Sequence, residues 1–219
     1  ALVPDATAAS YSFVTTLDDN NDTVQCYATN VIGVTTYVTN TPTATLSVFV
    51  PPTLAWLDSA NGGASGDWDT FSLNWINAAG GGGVIAYAPT NGVLFDSRGS
   101  GSPMVNLAQP TTPYKMTVDA AADYTITSYA LNGSLGGQGY LTKLNSGRLT
   151  IDVTNTMSGP TTISGGTLQI GNYDSYGTLG SGPVTNNATL SFNRADTALV
   201  VPNAIHGSGT VSYDGYGSV

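Results

Sequence analysis

The sequence predicts an all-β chain whose larger part is a parallel β-helix, and three observations predict it. A short phrase returns at a nearly fixed interval. Arg148-Leu149-Thr150-Ile151 is followed by Thr167-Leu168-Gln169-Ile170, then Thr189-Leu190-Ser191-Phe192, then Thr210-Val211-Ser212-Tyr213. The leading apolar residues Leu149, Leu168, Leu190 and Val211 stand 19, 22 and 21 positions apart. One short strand in every twenty or so residues is a solenoid signature. Within each phrase two apolar side chains lie two residues apart, so both point to one face of a strand. No single unit can bury that face, and a stack of units can. Composition agrees. All 14 acidic residues are aspartate, and 27 glycines and 11 prolines are spread along the 219 residues. Aspartate, glycine, asparagine and threonine favour turns and strands, and good helix formers such as Glu and Lys are absent or rare.

The formal net charge is −9. The five basic residues, Arg98, Lys115, Lys143, Arg148 and Arg194, do not cluster. Nucleic acid is therefore not an expected partner, because phosphate binding needs a basic patch. No apolar run is long enough to span a bilayer. The most apolar stretch, Thr45 to Leu57, is interrupted by Pro51 and Pro52.

Residues 1–50 form the first expected segment. The run from Cys26 to Gly33 has the pattern C-x-A-x-N-x-x-G, with Ala28, Asn30 and Gly33 at its fixed points. It follows the turn-rich Asp18-Asp19-Asn20-Asn21-Asp22 and precedes the alternating Ala44-Thr45-Leu46-Ser47-Val48. This resembles the last third of an immunoglobulin-like domain. The resemblance implies strand E at Ser10 to Thr16, strand F around Cys26 and strand G near Leu46. Val24 stands where the family has a tyrosine, so no tyrosine corner is expected. Cys26 is the only cysteine. It is expected as a small buried hydrophobe in strand F, with an intermolecular disulfide or a reactive thiol as the alternatives.

Pro51-Pro52 marks a boundary, because neither residue donates to a ladder. Residues 51–110 hold Trp56, then Trp68-Asp69-Thr70-Phe71-Ser72-Leu73-Asn74-Trp75, then Phe95-Asp96. Trp68, Asp69, Asn74 and Trp75 are read as an aromatic cap with its turn residues, covering the open end of the stack. The alternative reading of the tryptophans and Phe95 is a platform for sugar rings. Residues 111–219 hold the repeats. Lys115 and Thr117 face outward on a strand from Tyr114 to Val118. The interval from Ile126 to Leu149 is close to the same period and extends it one turn further back.

Several of these segments together resemble the autotransporter-associated (passenger-associated) β-strand repeat. They are W-D-x-x-x-x-N-W at 68–75, Phe95-Asp96, Gly139 to Lys143, Gly147 to Ile151, Gly159 to Asn172 and Leu179 to Arg194. The resemblance covers about residues 54–219. It implies a right-handed parallel β-helix from a long secreted or surface-bound bacterial protein, of the kind that serves as a passenger, adhesin or stalk.

Catalytic chemistry is sparse. His206 is the single histidine and is read as an exposed turn residue. No Cys/His spacing fits zinc, and no G-x-S-x-G elbow appears in a supporting context. Asp152, Asp174, Asp196 and Asp214 draw attention. The last three recur at intervals of close to one rung each. They are read as turn aspartates, with a calcium ladder or a glycosidase pair as alternatives. No cofactor is expected. The chain reads as a non-enzymatic extracellular structural protein: a stalk or fibre subunit assembling head-to-tail. Its expected partner is itself or the rest of a longer parent chain. The rivals are an adhesin or glycan-binding module and a polysaccharide-active enzyme.

Overall fold

The computed structural model describes residues 17–32, 34–48, 50–196 and 199–215. The chain divides into two units, Ala1–Val50 and Pro51–Val219.

The first unit has a 3-10 turn at Leu17–Asp19 and strands β1 (Thr23–Val24), β2 (Tyr27–Ile32), β3 (Thr35–Asn40) and β4 (Ala44–Thr45). β2 and β3 pair antiparallel from Tyr27 opposite Asn40 to Ile32 opposite Thr35, and β1 pairs with β4. Every residue of β3 is exposed, Tyr37 and Val38 included. The expected strand E and Gly33 lie outside the described residues. Asn30 sits in β2 opposite Tyr37. Cys26 departs from its expected place. It is exposed, in the short break between β1 and β2. Its backbone N–H donates to Thr41 Oγ1 at 3.1 Å, and the Thr41 N–H donates to its carbonyl at 2.9 Å. The Thr41 hydroxyl and N–H therefore hold the Cys26 backbone, and its thiol is exposed.

The second unit is a parallel β-solenoid. Its turns begin with β5 (Thr53–Trp56), β6 (Asp67–Trp68) and β7 (Trp75–Asn77). Next come β8 (Gly92–Phe95), β9 (Met104–Leu107) and β10 (Pro110–Thr111), then β11 (Lys115–Asp119), β12 (Tyr124–Thr127) and β13 (Ser134–Leu135). β14 (Tyr140–Leu144), β15 (Arg148–Ile151) and β16 (Thr154–Asn155) follow. The later turns have two strands each: β17 (Thr161–Ile163) with β18 (Thr167–Asp174), β19 (Val184–Asn186) with β20 (Thr189–Arg194), and β21 (Ile205–His206) with β22 (Thr210–Tyr213).

These strands stack into three walls. One runs β21-β19-β17-β14-β11-β8-β5-β7, a second runs β22-β20-β18-β15-β12-β9-β6, and a short third runs β10-β13-β16. Neighbours are parallel except β7, which lies antiparallel against β5 at the edge of the first wall. Alternation decides which side chains enter. In β11, Met116 and Val118 are buried, while Lys115 and Thr117 are partly exposed on the outer face. Tight corners explain some glycines. A Cβ on Gly139 would collide with the Pro113 carbonyl of the rung below.

The core is a set of columns with about 4.8 Å per step. Tyr124, Leu149, Leu168, Leu190 and Val211 are in register down the second wall. Leu149, Leu168 and Leu190 are fully buried, and Val211 is 51 % exposed. Val211 departs from its expected place inside with the leucines, because no described rung covers β22. The partner of Leu149 one turn back is Tyr124, and Ile126 pairs with Ile151 instead. The turn there is therefore slightly longer than the interval from Ile126 to Leu149 suggests. A tyrosine fills the leucine position in that rung.

Polar residues also enter the core. Lys143 shares an inward column with Val118 and Ile163 and is fully buried. Its ammonium donates to the carbonyls of Leu144, Asn145 and Gly165 at 2.5, 2.9 and 3.2 Å. Burial lowers its pKa, and Asp119 and Asp123 oppose that shift. Three carbonyls match the three donors of an ammonium group, so Lys143 ties a corner of one rung to the next.

Candidate functional site

The second wall carries a break in its regularity, and Asp152, Asp174, Arg194 and Asp196 lie near it. β18 pairs with β20 residue by residue up to Ile170 opposite Phe192, and pairing resumes only at Asp174 opposite Arg194. The extra residues form a bulge. Gly171, Tyr173 and Gly177 have φ of 82°, 64° and 89°. A Cβ on Gly177 would collide with the backbone of Gly171 and the Ile151 carbonyl. The two glycines thus press together at the neck of a small loop, residues 171–177. Only glycine fits a neck that tight with φ in the left-handed region.

Arg194 holds the loop from the rung above. Its guanidinium donates to the Gly177 carbonyl. It also makes a two-pronged ion pair with Asp196, Nε to Oδ1 at 2.9 Å and Nη2 to Oδ2 at 2.6 Å. The Arg194 side chain is nearly fully buried, and hydrogen bonds from it hold the Asp196 carboxyl below the usual range. Two prongs on a planar guanidinium fix orientation as well as charge. The Ala195 N–H donates to the Asp174 carbonyl at 2.8 Å.

Asp152 meets the loop from the rung below. Its carboxyl is pushed up to about 6, first by burial, then by the charge of Asp174 and a hydrogen bond with it. Thr127 and Arg194 act in the opposite direction. No donor reaches the buried Oδ1 of Asp152. Asp174 Oδ1 accepts the Tyr176 N–H at 2.9 Å within the loop. Beside the pair lies a cleft of about 60 Å³ lined by Ser128, Leu131, Asp152 and Tyr176, among others. Leu131 and Tyr176 of this lining are exposed.

The three aspartates read as a possible ladder do not form one. Asp174 meets Asp152, Asp196 meets Arg194, and Asp214 Oδ2 accepts from Ser191 Oγ and Ser212 Oγ. Among the described residues no group of three or more His, Cys, Asp or Glu side chains could hold a metal ion. The ladder fails because the bulge shifts Asp174 out of step, while Arg194 takes Asp196 for itself. The pair that does form was within reach of the sequence: Asp152 precedes Asp174 by the same interval that separates Asp174 from Asp196.

The aromatic set is internal. Trp56, Trp68, Trp75, Tyr87 and Phe95 are buried at the first rungs. Trp68 makes edge-to-face contacts with Trp75 and Tyr87 at centroid distances of 5.3 and 5.4 Å. Rings packed in this way offer no face to a sugar, so Trp68, Trp75 and Phe95 do not form a platform. Asn74 is fully buried beside them. Its Oδ1 accepts the N–H groups of Ala64 and Ser65 at 2.7 and 2.8 Å, and its Nδ2 donates to Ser65 Oγ and the Asp67 carbonyl. All four of its hydrogen-bonding capacities are filled. Asp69 accepts the N–H groups of Phe71 and Ser72, closing the turn after Trp68. Tyr87 carries no signal in the sequence, since its spacing from the tryptophans gives no hint of the contact. His206 lies on β21, exposed and opposite Thr185.

Among known families, residues 141–170 match the model of the passenger-associated-transport-repeat. The match runs from β14 into β18 and so covers the rung that holds Lys143 and the Leu149 to Leu168 step. No curated protein and no solved structure matches the chain. Among the described residues, no helix is long and apolar enough to cross a membrane.

Proposed function

We propose that this chain, a β-solenoid carrying the passenger-associated repeat, is a non-enzymatic structural segment of a bacterial surface passenger. The observation that supports this reading most is the continuous buried column Tyr124-Leu149-Leu168-Leu190. A solenoid with such a column is stabilised by nearest-neighbour stacking, and it lengthens by adding rungs. Its work is to hold distance and to present a surface. The edge rung supports head-to-tail extension. Thr210 and Val211 of β22 are exposed, and Ile205 and Tyr213 are only partly covered. A further rung, from the parent chain or from a second copy, would continue both ladders. A head-to-tail contact of that kind does not close and gives a filament.

Electron microscopy of the native surface material tests this reading. A rod of one rung's cross-section, lengthening about 4.8 Å for each added rung, is the expected result. Compact particles with no long axis would refute it. A second reading, glycan contact, rests on the exposed Tyr129, Tyr140 and Tyr176, since amphipathic rings are suited to contact surfaces. Binding on a glycan array that is lost in Tyr176→Ala would favour it.

A further inference from the structure

The third wall stops at β16, and the chain passes that corner in later rungs without a strand. Leu135 of β13 is in register with Asn155 of β16. A leucine fills the place in one rung and an asparagine takes it in the next, and both are buried. Thr178 then replaces strand pairing with its side chain. Its hydroxyl accepts the Asn155 N–H at 2.6 Å and donates to the Asn155 carbonyl at 2.8 Å. One rung further on, Asn203 Nδ2 donates to the carbonyls of Gly180 and Gly182 at 3.1 and 2.8 Å, which ties the segment 199–203 to the same corner. A cleft of about 300 Å³ is left between these rungs. Ile170, Leu179, Phe192, Leu199 and Val201 give it apolar walls, and none of its lining residues is ionisable.

Asn155 also lines this cleft, and its side chain is only half satisfied. The residue is 4 % exposed. Its Oδ1 accepts the Met157 N–H at 3.0 Å, which fixes the orientation of the carboxamide. Among the described residues no acceptor reaches its Nδ2. Asn74, also buried, has partners for both ends of its carboxamide. The Asn155 Nδ2 lies toward Gly180, another lining residue, where an added Cβ would stand 3.4 Å from it. A buried amide donor without a partner costs free energy that an acceptor placed in the cleft would offset. We propose that the cleft is a binding site for a small neutral molecule, an apolar ring or short chain carrying one carbonyl-type acceptor that takes the hydrogen bond of Asn155 Nδ2. A cavity of about 150 Å³ holds a benzene ring, so this cleft has room for a ring with a substituent. A charged ligand does not fit, because its charge would lose water and gain no ionic partner from the lining. Apolar walls with one convergent polar group are the usual make-up of a small-molecule site. The site goes beyond the structural role proposed above and does not depend on it.

Heteronuclear NMR titration of the whole chain with acetophenone, α-methylstyrene and benzoate tests the site. Acetophenone and α-methylstyrene share one shape and differ in the carbonyl oxygen, and benzoate carries a charge. Acetophenone should shift the Asn155 side-chain amide and the methyl signals of Leu179, Leu199 and Val201. It should bind about tenfold more tightly than α-methylstyrene, the worth of one hydrogen bond to a buried donor. Benzoate should leave these signals in place. Asn155→Asp keeps an acceptor for the Met157 N–H and removes the donor, so acetophenone should lose its advantage over α-methylstyrene. Val201→Phe fills the cleft and should abolish binding of both neutral probes, and it covers the case in which the Asn155 variant misfolds. No shift at these residues with either neutral probe would overturn the proposal. So would equal affinity for acetophenone and α-methylstyrene, or acetophenone binding that is unchanged in Val201→Phe. Tighter binding of N-acetyl-leucine methylamide than of acetophenone would overturn it in favour of a peptide occupant.

Discussion

Leu190 and Val211 occupy the same place in successive copies of one phrase, and they face each other in register across β20 and β22. Leu190 is fully buried and Val211 is half exposed. Nothing within either four-residue phrase accounts for the difference. It comes from the rung above, which Leu190 has and Val211, among the described residues, does not. Burial in this fold is therefore a property of the stack, and the same substitution should cost different amounts at different heights.

The first rungs differ from the repeats in what fills them. At the first rungs the core is filled by the buried rings of Trp56, Trp68, Trp75, Tyr87 and Phe95, where the repeat region uses leucines. Trp75→Ala should be the most damaging change, at about 3–5 kcal/mol, read as a shift in urea midpoint. Near wild-type stability would mean that the rings are not part of the core they line. Asn74→Ala removes four hydrogen bonds made by a buried side chain and should cost about 1–3 kcal/mol, although the Ala64 N–H keeps the Leu73 carbonyl as an acceptor. Asn74→Asp keeps the acceptor but sets a buried carboxylate oxygen against the Asp67 carbonyl, and should cost at least as much as Asn74→Ala.

Within the stack, Lys143→Met keeps the stem and removes the ammonium. It should cost about 1–3 kcal/mol, since three corner carbonyls lose their donor. An unchanged midpoint would show that water replaces the ammonium. At the lowest end, Cys26→Ser in the hairpin unit should change stability by no more than about 0.5 kcal/mol. The thiol should react fully with an aromatic disulfide reagent in the native state. A thiol that reacts only on unfolding would restore the buried reading of Cys26.

Much of the solenoid is legible because its signal is periodic. The near-constant interval between Leu149, Leu168, Leu190 and Val211 identifies one column, and alternation in β11 identifies its inner face. The residues that escape are those set by local irregularity. Lys143 has the same parity as Leu141, and both are buried. Alternation alone places it inside, but its charge argues for solvent until the three carbonyls are seen. Cys26 carries a motif whose burial depends on a covering sheet, and a motif cannot supply that sheet. Rung spacing places the aspartates only while the ladder is regular. The bulge between Ile170 and Asp174 sets Asp174 opposite Arg194 rather than opposite Asp196. Gly171 and Gly177 bracket it, but glycines are too common in this chain to signal a neck.

The most direct test of stacking is a paired truncation. Leu168→Ala and Val211→Ala alter the same column, one between two rungs and one at the exposed face. Urea unfolding of both should give about 2–5 kcal/mol lost for Leu168→Ala and less than about 1 kcal/mol for Val211→Ala. Equal losses at the two positions, or a larger loss at Val211, would contradict a core built rung upon rung.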